Sequence, residues 1–193
     1  MKTALLLNGS KKFGMDGTRL NHTLQGVAKE FLESKDYKVL ETIIDSGYEL
    51  EGEVQKWLES SLVIWQMPAW WMGEPWIVKE YIDKVFMCGG GRLYHSDGRH
   101  RDNPDVNYGK GGLSQGKSVM FSMTWNAPLR AFTDKNEHFE GMGLEGVIFH
   151  LRKAHEFIGM TCLPSFMCND VIKNPQIEKF IESYKAHLAR VVG

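Results

Sequence analysis

Leu62-Val63-Ile64-Trp65-Gln66-Met67 decides the fold. The run is apolar on both faces and stops at Pro68. It therefore reads as a strand of a parallel sheet covered on both sides, rather than one with a wet face. Ala4–Asn8 and Ser118–Met123 have the same continuous apolar character. Tyr37–Ile44 carries Lys38 and Glu41, and Thr161–Met167 carries Pro164, which confines a strand to a sheet edge. Segments of helical period lie between these runs. Leu20, Leu24, Val27, Ala28, Phe31 and Leu32 mark a helix over Thr18–Glu33 with Thr18 as its N-cap. Glu51–Ser60 buries Val54, Trp57 and Leu58. A helix opening at Pro75 packs Val78, Tyr81, Ile82, Val85 and Phe86 and ends at Gly89-Gly90-Gly91. Leu144, Val147, Ile148, Leu151, His155 and Ile158 mark another, closed by Gly159. Ile177, Phe180, Ile181, Tyr184, Leu188 and Val191 mark the last.

Five strands alternating with helices predict an α/β protein with a five-stranded parallel sheet and helices on both faces. The first, third and fourth strands are central by apolarity and the second and fifth peripheral. That is the order 2-1-3-4-5 of a flavodoxin-like three-layer sandwich, whose ligand sits at the carboxyl ends of the strands near the switch point. The 193 residues suit one domain over 1–193. Residues 89–116 lose periodicity and are rich in Gly, Asp, Arg and His, so they form a long insert of the kind that usually serves function.

The 23 basic and 24 acidic residues nearly cancel, to a net charge of -1, which argues against a nucleic-acid partner. Cys88, Cys162 and Cys168 have no metal or redox spacing and read as reduced thiols in a cytoplasmic protein. The apolar run after Ala4 stops at Asn8, too soon for a signal peptide. Leu62–Met72 is broken by Gln66 and Pro68 and is too short for a membrane span. His95, His100, His138, His150 and His155 lack metal-ligand spacing. His155 lies on a helix face and suits a satisfied core or interface position. No serine sits in a nucleophile elbow, and no cysteine has an evident histidine partner.

The topology directs attention to the loops after strands one, three and four. The first, Gly9-Ser10-Lys11-Lys12-Phe13-Gly14-Met15-Asp16-Gly17-Thr18, runs into Leu20-Asn21-His22-Thr23. It suits a phosphate at a helix N-terminus or is a plain glycine-rich turn. Gly9 and Gly14 have P-loop spacing, but Met15 and Asp16 stand where the Lys and Ser/Thr are required, which argues against an NTPase. The second loop, Pro68-Ala69-Trp70-Trp71-Met72-Gly73, belongs to a cluster that places four of the six tryptophans within twelve residues. Its rings suit a core, a dimer interface or a wall for a flat ligand. In the third, Thr124-Trp125-Asn126-Ala127-Pro128, the Asn126 amide suits a ring edge of alternating donors and acceptors, or a capped turn. Tyr108 in the insert either folds over this site or is a surface tyrosine.

Taken together, these segments resemble the modulator of drug activity B family of bacterial NAD(P)H-dependent quinone reductases. The resemblance covers essentially the whole chain. It rests on Asn8-Gly9 with Lys11-Lys12-Phe13, Leu20-Asn21 with Thr23, Val63–Pro68 with Trp70–Gly73, Leu93-Tyr94 with Ser96–Arg99, Tyr108-Gly109, Gly111–Leu113, Thr124–Pro128 and Asn169–Lys173. It implies FAD as cofactor and a homodimer. The phosphates would be held by Asp16, Gly17, Thr18, Arg19, Leu20, Asn21, His22 and Thr23. The isoalloxazine would be held by Pro68, Ala69, Trp70, Trp71, Met72, Tyr108, Thr124, Trp125, Asn126 and Ala127. The implied reaction passes a hydride from NADPH or NADH to flavin N5 and then to a quinone. Such two-electron reduction protects against semiquinones and oxidative stress. Two other readings of the chain are an FMN-dependent, flavodoxin-type electron carrier and a non-catalytic nucleotide-binding domain.

Overall fold

Continuous apolarity is realised as a doubly covered sheet in the computed structural model, which describes residues 1–13 and 18–193. Lys2–Asn8 (β1), Tyr37–Ile43 (β2), Leu62–Pro68 (β3) and Ser118–Thr124 (β4) run parallel in the order β2-β1-β3-β4. Thr161–Cys162 (β5) and Phe166–Cys168 (β6) both pair in parallel with β4. The helices are Arg19–Glu33 (α1), Leu50–Glu59 (α2), Trp76–Cys88 (α3), Arg130–Thr133 (α4), Gly143–Val147 (α5), Phe149–Phe157 (α6) and Ile177–Val191 (α7).

The pleat sorts side chains between two cores. Leu5, Leu7, Val63, Trp65, Met67, Phe121 and Met123 pack with Val54 and Trp57 of α2, Val78, Tyr81 and Val85 of α3, and Leu151 of α6. Their neighbours Ala4, Leu6, Leu62, Ile64 and Met120 face the other way, onto Leu24, Ala28 and Leu32 of α1 and Tyr184 and Leu188 of α7. A strand with layers on both sides is apolar at consecutive positions for this reason.

Two expected elements are divided. The fifth strand, read as Thr161–Met167, breaks into β5 and β6 around Pro164. Proline has no N–H to give the ladder, and its carbonyl instead accepts a hydrogen bond from His187 Nε2 of α7 at 2.9 Å. The helix read from Leu144 to Ile158 breaks at Ile148, where φ is -96° and ψ 21°. Gly143 and Gly146 weaken its first turn, and Glu145 is drawn off to the Ser165 backbone N–H at 2.7 Å.

The insert is pinned to this frame. Leu113 N–H donates to Leu93 at 2.8 Å and Ser114 N–H to Ile158 at 2.9 Å. A Cβ at Gly112 would lie 2.2 Å from the Ile158 carbonyl carbon, a backbone atom with no freedom to withdraw. Gly112→Ala is therefore expected to destabilise the protein by about 1–3 kcal/mol, read as a lower denaturant midpoint. A midpoint equal to wild type would show that the insert does not dock on α6 in this way.

Register brings the three loops to one end. Asn8 of β1 lies opposite Gln66 of β3, and Pro68 opposite Thr124 of β4.

Candidate active site

At that end the chain encloses a cleft of about 360 Å³ lined by Arg19, Leu20, Pro68, Ala69, Trp70, Thr124, Asn126, Val171, Ile172 and Ile177. A larger groove of about 530 Å³ lies along β2 and α2, between Glu41 and Lys56. Its main polar groups are already committed. The buried Glu53 carboxylate accepts from Thr42 Oγ1, Lys56 Nζ and Tyr81 OH at 2.8, 2.7 and 2.6 Å. Burial, followed by the Glu53 charge, pushes the Tyr81 phenol well above its ordinary value. The smaller cleft, where the three loops converge, is the better candidate.

A buried polar brace lies beneath it. Gln66 Nε2 donates to Asn21 Oδ1 at 2.8 Å, and Asn21 Nδ2 donates to Thr124 Oγ1 at 3.2 Å. The three residues come from β3, α1 and β4, so one relay ties the three loops together. All are at most 4% exposed. Backbone bonds close the frame: Gly9 N–H to Gln66 and Ala69 N–H to Thr124, both at 2.9 Å.

Of the residues expected to hold a cofactor, Arg19, Leu20, Pro68, Ala69, Trp70, Thr124 and Asn126 line the cleft together. Asn21 sits under it rather than in it. Thr18 stands at the start of α1, and its carbonyl accepts from His22 N–H at 3.1 Å. Thr23 is exposed and bonds back to the Arg19 carbonyl at 3.1 Å. Asp16 and Gly17 lie outside the described residues. The loop's Lys11 is already paired with Asp45, whose carboxyl it holds below its ordinary value. Arg19 is thus the cation at the cleft wall.

The aromatic residues divide. Trp70 lines the cleft, with Phe13 tilted against it at 5.7 Å. Trp71 and Met72 project from the adjoining turn, 96% and 50% exposed. The Trp125 ring turns inward and meets Phe132 and Phe139 edge-on at 5.0 and 5.6 Å. Only its neighbours Thr124 and Asn126 reach the cleft. Ala127 is half-buried, and its carbonyl accepts from Asp170 N–H at 3.0 Å. Tyr108 is exposed on the insert, 5.7 Å from Phe157 and under the Arg99 guanidinium at 5.5 Å. It does not line the cleft of its own chain.

Val171, Ile172 and Ile177 line the cleft beyond the residues that the sequence points to. Val171 N–H donates to the Trp125 carbonyl at 3.0 Å, which stitches the segment after β6 to the loop after β4. Asn169–Lys173 belongs to the resemblance, but its apolar residues have no periodicity that places them at a site.

Among the described residues there is no cluster able to hold a metal, and no helix is long and apolar enough to cross a membrane. The cleft offers a flat aromatic wall, an amide edge, a cation beside a helix start and an apolar shelf, and among the described residues its lining carries no cysteine, serine or carboxylate.

The fold has relatives among known proteins. A family described as having a flavodoxin-like fold matches residues 2–190. The chain is 54% identical over 189 residues to the NADPH:quinone oxidoreductase MdaB of Haemophilus influenzae, covering 98% of each chain. The fold is shared with a candidate quinone reductase from Klebsiella pneumoniae (TM-score 0.76, 21% identity, 98% and 84% covered). It is also shared with general stress protein 14 of Treponema denticola, solved in complex with FMN (TM-score 0.67, 16% identity, 98% and 99% covered). The strand order, the site at the switch point and the extent of these matches place the chain in the flavodoxin-like family, within the MdaB group.

Proposed function

We propose that the protein is a cytoplasmic, FAD-dependent NADPH:quinone oxidoreductase that works as a homodimer. The observation that carries the reading is the convergence of Trp70, Thr124, Asn126 and Arg19 on one cleft, in a chain 54% identical to MdaB.

The residues present fit a flavin. Trp70 and Ala69 give a planar ring a wall, and Asn126 can donate to and accept from its edge. Arg19, at the first position of α1, favours a phosphate there. Val171, Ile172 and Ile177 add an apolar shelf that suits a second, adenine ring, which supports FAD over FMN. The flavin, when bound, supplies hydride exchange between NADPH and the quinone. The chain's own part is to orient flat substrates against that ring and keep water from it.

Two observations support the dimer. Trp71, Trp76, Met87, Met142 and Phe149 are more than half exposed, which is much bare apolar surface for a monomer. Tyr108 does not line the cleft of its own chain, so if it contacts a flavin, as the resemblance implies, it does so from a second copy. Arg99 is paired with Asp97 in the insert, and Lys110 bonds Asn107. These two cations, which could otherwise meet the 2′-phosphate of NADPH, are thus engaged, and the preference for NADPH draws its support from the MdaB relative.

Identifying the flavin released from the purified protein tests the reading. FAD in about one-to-one amount per chain is expected. FMN alone would transfer the protein to the electron-carrier reading, and a protein that takes up neither would leave it a non-catalytic binding domain.

A further inference from the structure

The turn beside the cleft is strained, and it is held from outside. Trp70 and Gly73 exchange both backbone hydrogen bonds, at 2.8 and 3.2 Å. The two residues between them, Trp71 and Met72, have φ of 47° and 71°. Both central positions of this tight turn are left-handed, a geometry that favours Asn-Gly and is costly for a tryptophan and a methionine. Such conformations persist only where the surroundings over-determine them, and they gather at functional sites.

The next residue supplies the anchor. Glu74 is only 8% exposed at its side chain, and its Oε2 lies 2.8 Å from Nε2 of His150 on α6, 76 residues away. A carboxylate partner places the ring proton on Nε2, which donates. The other half of α6 carries Phe157, which meets Tyr94 at 6.0 Å and Tyr108 at 5.7 Å. One helix thus grips the tryptophan turn at its start and the insert at its end.

We propose that the His150–Glu74 pair is a positioning clasp for the aromatic wall against which the site's flat substrates, the quinone among them, are seated. It holds the strained turn so that Trp71 and Met72 remain presented beside the cleft. Through α6 it fixes that turn relative to the insert carrying Tyr108. The inference rests on the quinone-reductase reading and assigns the acceptor's recognition in part to two residues that touch no ligand. His150 is half exposed but Glu74 is nearly buried, so losing the imidazole leaves the carboxylate short of this partner and costs some global stability as well. The readouts that isolate the clasp are therefore those at the turn itself.

The test uses the flavin-loaded protein with His150→Ala, His150→Gln, Glu74→Ala and the double alanine variant. His150→Ala should raise the KM for a soluble benzoquinone about three- to tenfold while kcat stays within about twofold, because the turn is misplaced rather than the chemistry lost. Hydrogen exchange at the Trp70 and Gly73 amides should quicken about tenfold. His150→Gln keeps a donor to the carboxylate and should restore both. The double variant should be no worse than either single one, as for two partners in one interaction. Unchanged exchange at the turn in His150→Ala would overturn the proposal. So would faster exchange with no rise in KM, or His150→Gln behaving like alanine. A wild-type protein that binds no flavin and reduces no quinone would sink the functional reading. Exchange at the turn would still report separately whether the clasp exists.

Discussion

The protein is expected to lose about 3 kcal/mol of stability between pH 6.5 and pH 4 through His155 alone. His155 is fully buried, and its ring is ringed by Trp57, Trp65, Phe86 and Phe121. Trp65 Nε1 donates to its Nε2 at 3.0 Å, and its Nδ1 lies 2.7 Å from the Leu151 carbonyl. That arrangement suits only the neutral ring with its proton on Nδ1. A second proton on Nε2 would face the indole N–H and bring a charge into an apolar core. Burial accordingly lowers the imidazole from 6.5 to about 4. The sign follows from proton binding. Below pH 6.5 the unfolded chain takes up a proton that the folded chain refuses until about pH 4. Stability is therefore full above pH 6.5 and falls as the pH drops through that window. His187 is lowered by burial too and acts in the same direction. The lowered carboxyls of Asp45 and Glu41 add losses of their own as the pH falls below their ordinary values of 3.8 and 4.5. Denaturant melts of wild type and His155→Gln at pH 7 and pH 4.5 isolate the effect. The glutamine can still accept from Trp65 but cannot charge. The two proteins should respond alike to acid only if His155 is charged in the fold, which would refute the assignment.

Asn21→Ala is expected to cost about 2–4 kcal/mol and to lower flavin affinity at least about tenfold. Asn21 accepts from Gln66 and donates to Thr124, and all three are at most 4% exposed. The alanine orphans both partners, and each buried unpaired polar group costs about 1–3 kcal/mol. Gln66 Oε1 already lacks a hydrogen-bond partner among the described residues, so the variant would leave neither end of that amide with the partner it has now. The effect on the flavin arises because the same relay sets the spacing of α1, Pro68 and Thr124 around the cleft. Flavin titration and chemical denaturation of the one variant read both quantities. A variant that loses stability but holds flavin normally would show that the brace supports the sheet and not the site.

The two effects lie in residues whose roles the sequence shows only in part. His155 is readable as a satisfied core histidine because it falls on the apolar face of a helical repeat. Asn21 is readable as part of the site because it follows the first loop. Its inward direction is set by Gln66 and Thr124, which are 45 and 103 residues distant. The central strands are legible because burial on both faces leaves them without polar alternation. Pro164 marks an edge, but the split into β5 and β6 also needs His187 from α7. The break at Ile148 is invisible, since Leu144, Val147, Ile148 and Leu151 keep the helical period across it. Trp125 stands in a site loop, yet its ring has Phe132 and Phe139 to pack on and turns away. Val171 and Ile172 enter through a backbone bond to that same loop, and a backbone bond leaves no mark on residue types.

On the quinone-reductase reading, one cleft serves NADPH and a quinone in turn through a bound flavin. An anaerobic absorbance titration distinguishes this from single-electron transfer. Added NADPH alone, one equivalent per flavin, should bleach the flavin fully in a single two-electron step. One equivalent of benzoquinone should then restore the colour completely, with no paramagnetic stage accumulating in either direction. A colourless protein, or a flavin that passes through a stable one-electron stage and is not reoxidised by the quinone, would overturn the two-electron reductase reading.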